Sequence, residues 1–174
     1  VTRRIRQMVD DQYACWNRDI MPSLARHGIR LLGMEQVSDS VREWLTDYYY
    51  NEVRPVLTPM AIDPAHPFPQ LLNKSLNTIV QVELVMGGRL IKNLAVVQVP
   101  RVLPRVVELP SEEGRKEYLM LGHLIGFYLA DLFPAAKILG YWHFRVTRNS
   151  ELYIDEEETA NLLKAVETEL HNRR

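Results

Sequence analysis

Three observations predict an α+β fold, with a mostly antiparallel sheet, helices packed on one face and a long helix in front. The first 27 residues carry apolar side chains at helical spacing. From Leu76 the period switches to two, around a Gly-Gly turn. Helical spacing then returns after Lys116 and again near the C-terminus. Strands followed by helices, without regular βαβ alternation, define the class.

The elements follow in order. Ile5, Val9, Tyr13, Trp16, Ile20 and Leu24 recur three and four residues apart, so residues 3–27 read as a helix with one apolar stripe. Pro22 falls late in it and predicts a kink or a restart. Arg26 and His27 before Gly28 suit a helix C-terminus, and Ile29, Leu31 and Leu32 form a short extended link. Ser40 and Glu43 have capping-box spacing. Val41, Trp44, Leu45, Tyr48 and Tyr49 give the following helix a buried face, and Pro55 closes it. Five of ten prolines fall in 55–69, which excludes a helix interior or a central strand. Interleaved Val56, Leu57, Met60, Ile62 and Phe68 make this segment an ordered loop over a core.

Val80, Val82 and Leu84 face one way and Gln81 and Glu83 the other, as in a half-buried strand. Gly87-Gly88 supplies the hairpin turn. The return strand runs over 90–99, with Leu94-Ala95-Val96-Val97 apolar on both faces, and a third strand over 105–109. Residues 116–132 read as a dense apolar helix, 137–148 as a strand, and a last helix opens at Asp155 and buries Leu162, Leu163, Val166 and Leu170.

Composition narrows the function. The 174 residues are 47% apolar and 25% charged, enough to bury roughly 70% of the unfolded surface without a staple. No apolar run reaches the roughly 18 residues of a membrane span, and no signal-peptide core follows Val1. A single cysteine, Cys15, forbids an internal disulfide and fits a reducing compartment. The net charge of −1 argues against coating nucleic acid. That total conceals a balance of +4 over residues 71–106 and −4 over 149–174. The chain starts without Met and stops at a charged helix, so a piece of a longer protein is expected.

No phosphate loop, dinucleotide fingerprint, zinc-protease motif or nucleophile elbow is present. His27, His66, His123, His143 and His171 are scattered without ligand spacing, so no metal site and no catalytic residue is assigned. Two prolines hold His66 in an extended loop. Asn73, Lys74, Ser75 and Asn77 then offer donors that suit either phosphate oxygens or pinning of the loop itself, residue types favouring the second. Lys74, Arg89, Lys92, Arg101 and Arg105, joined by Arg145 and Arg148, suit a polyanion or a solvated sheet face with dimer salt bridges.

The run from Val56 to Pro69, continuing through Asn73 to Asn77, resembles the polyphosphate kinase family, specifically its middle or head domain. Further matches are Leu24-Ala25-Arg26-His27-Gly28-Ile29, Val102-Leu103-Pro104-Arg105 and Phe144-Arg145-Val146-Thr147-Arg148. Their order and spacing agree, so the resemblance covers essentially the whole chain. It implies a large bacterial enzyme that reversibly moves the terminal phosphate of ATP onto polyphosphate through a phosphohistidine. It further implies that residues 1–33 are the last helix of an N-terminal helical domain and 34–174 the head domain. The family's catalytic histidines and magnesium ligands would lie beyond Arg174 and its adenine motif before Val1. ATP and magnesium are therefore implied for the parent and no cofactor for this chain, which is expected to be inactive alone. His66 belongs to the head-domain loop motif and is not the nucleophile. Asn149 stands where an acidic residue is common in relatives.

In the family the head domain supports dimerisation and lines part of a polyphosphate tunnel. The candidates for polyphosphate binding or loop ordering are thus His66, Asn73, Lys74, Arg101, Arg105, Arg145 and Arg148. The expected partners are the parent's remaining domains, a second copy in a homo-oligomer, and polyphosphate. Nucleic acid is not expected. The expected location is cytoplasmic, with membrane association left open for the parent. Two other readings compete: a free-standing polyanion-binding module, and a structural interaction domain using Trp44, Tyr48 to Tyr50 and the helix around His123.

Overall fold

The computed structural model describes residues 1–62, 69–112 and 114–147. The expected last helix, His66 and Arg148 lie outside them. The chain divides into two compact units, the first from Val1–Glu52 with Pro104–Leu124, the second from Val53–Leu103 with the described residues from Ile125 onward.

The first unit opens with α1 (Thr2–Cys15), a π-helical turn (Trp16–Ile20) and α2 (Met21–Arg26). Where the sequence predicts a kink or restart at Pro22, helical dihedrals continue through Ile20 and Met21, and the π-helical turn, with the Met21 N–H on the Trp16 carbonyl, lies just before the proline. Gly28 follows at φ +76°, and a Cβ there would stand 3.0 Å from the Gly114 carbonyl oxygen. The apolar stripe that runs from α1 into the π-helical turn stays open: Ile5, Val9, Tyr13, Trp16 and Ile20 are all exposed.

Strand β1 (Ile29–Leu32) pairs in parallel with β6 (Lys116–Met120), and β5 (Val106–Glu108) pairs antiparallel on the other side of β6. Here one expectation is corrected. Residues 116–132 are not one helix, because 116–120 form the middle strand of this sheet. Pairing on both edges overrides the helical spacing, and Leu119 is fully buried. The helical part is reduced to α4 (Leu121–Phe127) and α5 (Leu129–Leu132).

Helix α3 (Asp39–Tyr48) starts earlier than the capping box suggests. Its cap is Ser38, which accepts from the Val41 N–H, rather than Ser40. Val41, Leu45 and Tyr49 are buried at i, i+4 and i+8, while Trp44 and Tyr48 stack at the surface with ring centroids 5.4 Å apart.

The second unit is a four-stranded antiparallel sheet in the order β2-β4-β3-β7. Strands β3 (Leu76–Met86) and β4 (Arg89–Gln98) form the hairpin, with Gly87 and Gly88 at φ +58° and +76° as a two-residue primed turn requires. Ala95, Val96 and Val97 are buried, as their two-sided apolar pattern predicts. Within the proline-rich segment, Pro59–Ile62 form β2, a strand where the sequence predicts only a loop; its edge position makes Pro59 tolerable. Strand β7 (Lys137–Arg145) closes the other side and ends three residues short of the expected 148.

Candidate functional site

The candidate residues gather where β3 begins. Its first residue, Leu76, stands opposite Arg145, the last of β7, and Asn77 stands between Phe144 and Gln98. This juxtaposition fixes the turn at 73–75. The Lys74 N–H donates to the Val146 carbonyl at 2.7 Å, and the Ser75 N–H to Leu72 at 3.1 Å. Arg101 Nη2 reaches from beyond β4 to donate to the Asn73 carbonyl at 2.5 Å.

Buried polar side chains lie on both faces of β3 where it begins, Ser75 and Asn77 on one and Thr78 on the other. Ser75, Asn77 and Thr78 are all fully buried. Ser75 Oγ donates to the Leu72 carbonyl at 2.6 Å. Asn77 Nδ2 donates to Ser75 Oγ at 2.9 Å and to the Ser75 carbonyl at 3.2 Å. Those two acceptors fix the orientation of the amide. Thr78 Oγ1 and His143 Nδ1 are 3.0 Å apart, and the His143 ring meets Tyr141 edge to face.

Two features of this turn are costly. Lys74 sits at φ +58°, the one non-glycine residue among the described ones in the left-handed region, at a cost of about 1–2 kcal/mol. Asn77 Oδ1 is buried and, among the described residues, meets no hydrogen-bond donor. What the turn presents outward is charge: Lys74, Arg101 and Arg145 are all exposed.

The structure shows hydrogen bonds that order the loop and exposed cations beside it. Ser75, Asn77 and the Asn73 carbonyl pin the loop; Lys74, Arg101 and Arg145 are the cations it carries. Arg105 is exposed in the first unit, just before β5, and its carbonyl accepts from the Leu121 N–H at 2.9 Å. His66 and Arg148 lie outside the described residues. Thr78 was missed by residue-type reasoning, although a hydroxyl in the alternating apolar register of β3 is the signal that marks it.

Elsewhere several arginines are paired with carboxylates. A polar cavity of about 470 Å³ at the start of α3 is lined by Ser38, Ser40, Ser111 and Arg115, but Glu112 and Glu117 share it and Arg115 is paired with Glu112 at 3.5 Å. Arg54 is paired with Asp131, and Arg30 with Glu117. Among the described residues no group of three His, Cys, Asp or Glu converges that could hold a metal ion. Nor is any described helix long and apolar enough to cross a membrane.

Known proteins resemble this chain over nearly all of it. A sequence profile described as the polyphosphate kinase middle domain matches residues 40–174. The chain is 41% identical over 170 residues to polyphosphate kinase from Xylella fastidiosa (strain 9a5c), covering 96% of the chain and 24% of that protein. Against polyphosphate kinase from Neisseria meningitidis serogroup C it is 40% identical, covering 99% and 26%. The crystal structure of polyphosphate kinase from Porphyromonas gingivalis superposes with a TM-score of 0.73 at 25% identity, over 84% of this chain and 25% of that one. The chain thus spans about a quarter of the length of these relatives.

Proposed function

The chain belongs to the polyphosphate kinase family, and from that premise we propose that it is a non-catalytic piece whose exposed cations hold polyphosphate for a larger enzyme. The observation that supports the reading is the pinned turn at 73–75, where the Lys74 N–H bonds Val146, Arg101 bonds the Asn73 carbonyl and Arg145 stands opposite Leu76. Phosphate oxygens are strong acceptors, arginine binds them bidentately and lysine as a point charge. The parent would transfer the ATP terminal phosphate to polyphosphate with groups outside this chain. Titrating the 174-residue chain with polyphosphate at several salt concentrations tests the reading. Binding that weakens as salt rises is expected, since each neutralised phosphate releases counterions; no binding at low salt contradicts it. ATP consumption by the chain, dependent on His66, would contradict its non-catalytic character.

A second role is favoured by the open apolar surfaces. The stripe Ile5, Val9, Tyr13, Trp16 and Ile20 has the spacing of a buried helix face yet is exposed. We infer that residues 1–33 end a preceding helical domain of the parent, which covers this stripe, and that the head domain supports a homo-oligomer. Hydrogen exchange should then be slower over α1 in the full-length parent than in the 174-residue chain. Equal rates in both would argue against that assignment. Sedimentation of the chain tests the self-association, which a clean monomer at high concentration would disfavour.

A further inference from the structure

A left-handed lysine and, among the described residues, a buried amide oxygen without a donor are each unfavourable, and the two lie three residues apart, in the turn and at the start of β3. Strain of this kind persists only where the surroundings over-determine it, and it concentrates at working sites. Here the surroundings are visible. Lys74 is held by its N–H to Val146, Asn73 by Arg101, and Ser75 by both its own hydroxyl bond to Leu72 and the Asn77 amide below it. A turn of this shape built for stability alone would place glycine at position 74. The sequence instead keeps a cation at the strained position and a polar side chain underneath.

We propose that Asn77, with Ser75, is a positioning residue for polyphosphate binding: it fixes the left-handed turn that holds Lys74 as a preset phosphate ligand. This rests on the polyphosphate reading above and extends it by dividing the site into a cation that touches the anion and a buried support. Asn77, fully buried, does not touch the ligand; its effect passes through Lys74. Preset geometry removes the ordering cost of a mobile lysine when an anion binds.

The test is a double-mutant cycle on binding of a defined polyphosphate to the 174-residue chain, using Lys74→Ala, Asn77→Ala and both together. Lys74→Ala should weaken binding about threefold and make its salt dependence shallower by about one counterion. Asn77→Ala should weaken binding with the same loss of salt dependence, and the double variant should be no worse than Lys74→Ala alone. Additive losses, or an Asn77 variant that binds as the wild type does, would overturn the positioning role while leaving the polyphosphate reading in place. No binding by the wild type would overturn both.

If Asn77→Ala does not fold, Ser75→Ala cuts the same support more lightly and should show the same non-additivity with Lys74→Ala. Lys74→Gly supplies an independent readout, since it removes strain and cation together. Its melting temperature should rise by about 2 °C while its binding falls to the Lys74→Ala level. A fall in melting temperature would contradict the claim that position 74 is strained.

Discussion

Two turns flank β3, and both use positive φ, but they differ in what that conformation costs. At the far end, Gly87 and Gly88 adopt it freely, and the hairpin tip stands in solvent with Val85 67% and Leu90 70% exposed. At the near end Lys74 adopts it against its preference, beside the buried Ser75 and Asn77 side chains, with its N–H on Val146 and Arg101 on the neighbouring Asn73. Both ends carry cations of the same basic segment: Arg89 and Lys92 at the tip, Lys74 and Arg101 at the turn. Counting charge does not separate them. What separates them is structural investment, because, among the described residues, only the near turn tolerates strain and an unpaired buried oxygen to keep its shape.

The largest expected effect breaks this contrast at its support. Asn77→Ala removes the donor to the Ser75 carbonyl and hydroxyl and should destabilise the protein by about 2 kcal/mol in urea unfolding. Val85→Ala, at the exposed tip, should stay within about 0.5 kcal/mol. Equal losses would mean that the near turn is no better built than the tip. A second change works from the other end. Gly88→Val forces a β-branched residue to φ +76° and should cost about 1–2 kcal/mol, with faster hydrogen exchange in the hairpin and none of that change at 73–77.

The smallest expected effect is a control outside both turns. Burial, and then the nearby Glu52 carboxylate, push the Tyr48 hydroxyl above its ordinary 10. Below pH 10 the folded and unfolded chains both keep this proton. Above pH 10 the unfolded chain releases it first, so stability falls as pH rises toward the folded value. Tyr48→Phe should flatten that part of the alkaline stability curve and leave polyphosphate binding unchanged.

Legibility in the sequence follows the same division. The hairpin is readable because Gly-Gly and a period of two are local signals. The residue types at 73–77 are visible too, but phosphate binding and loop pinning use the same donors. The bonds that order the turn depend on the register that brings Arg145 opposite Leu76 and the carbonyl of Val146 to Lys74, which no local signal shows. The strand at 116–120 is hidden for a related reason. Its pairing partner β1 is 87 positions earlier, as in Arg30 opposite Glu117, and nothing local distinguishes a short apolar strand from the start of a helix. The Ser38 cap is masked by a better-looking box two residues later. The stripe of α1 is legible as amphipathic, while its exposure depends on what else is present.

The central claim is that polyphosphate is held at the pinned turn and not by basic charge in general. Paired charge reversals of equal size test it most directly, measured as polyphosphate affinity of the 174-residue chain at one low salt concentration. Reversing Lys74 and Arg145 together to Glu should weaken binding by about tenfold, at roughly threefold for each cation removed from the anion. Reversing Arg89 and Lys92 to Glu should change it by less than about twofold, because the tip is remote from the bound anion and its charges are screened. Equal losses from the two pairs, or a larger loss from the hairpin pair, would contradict the account.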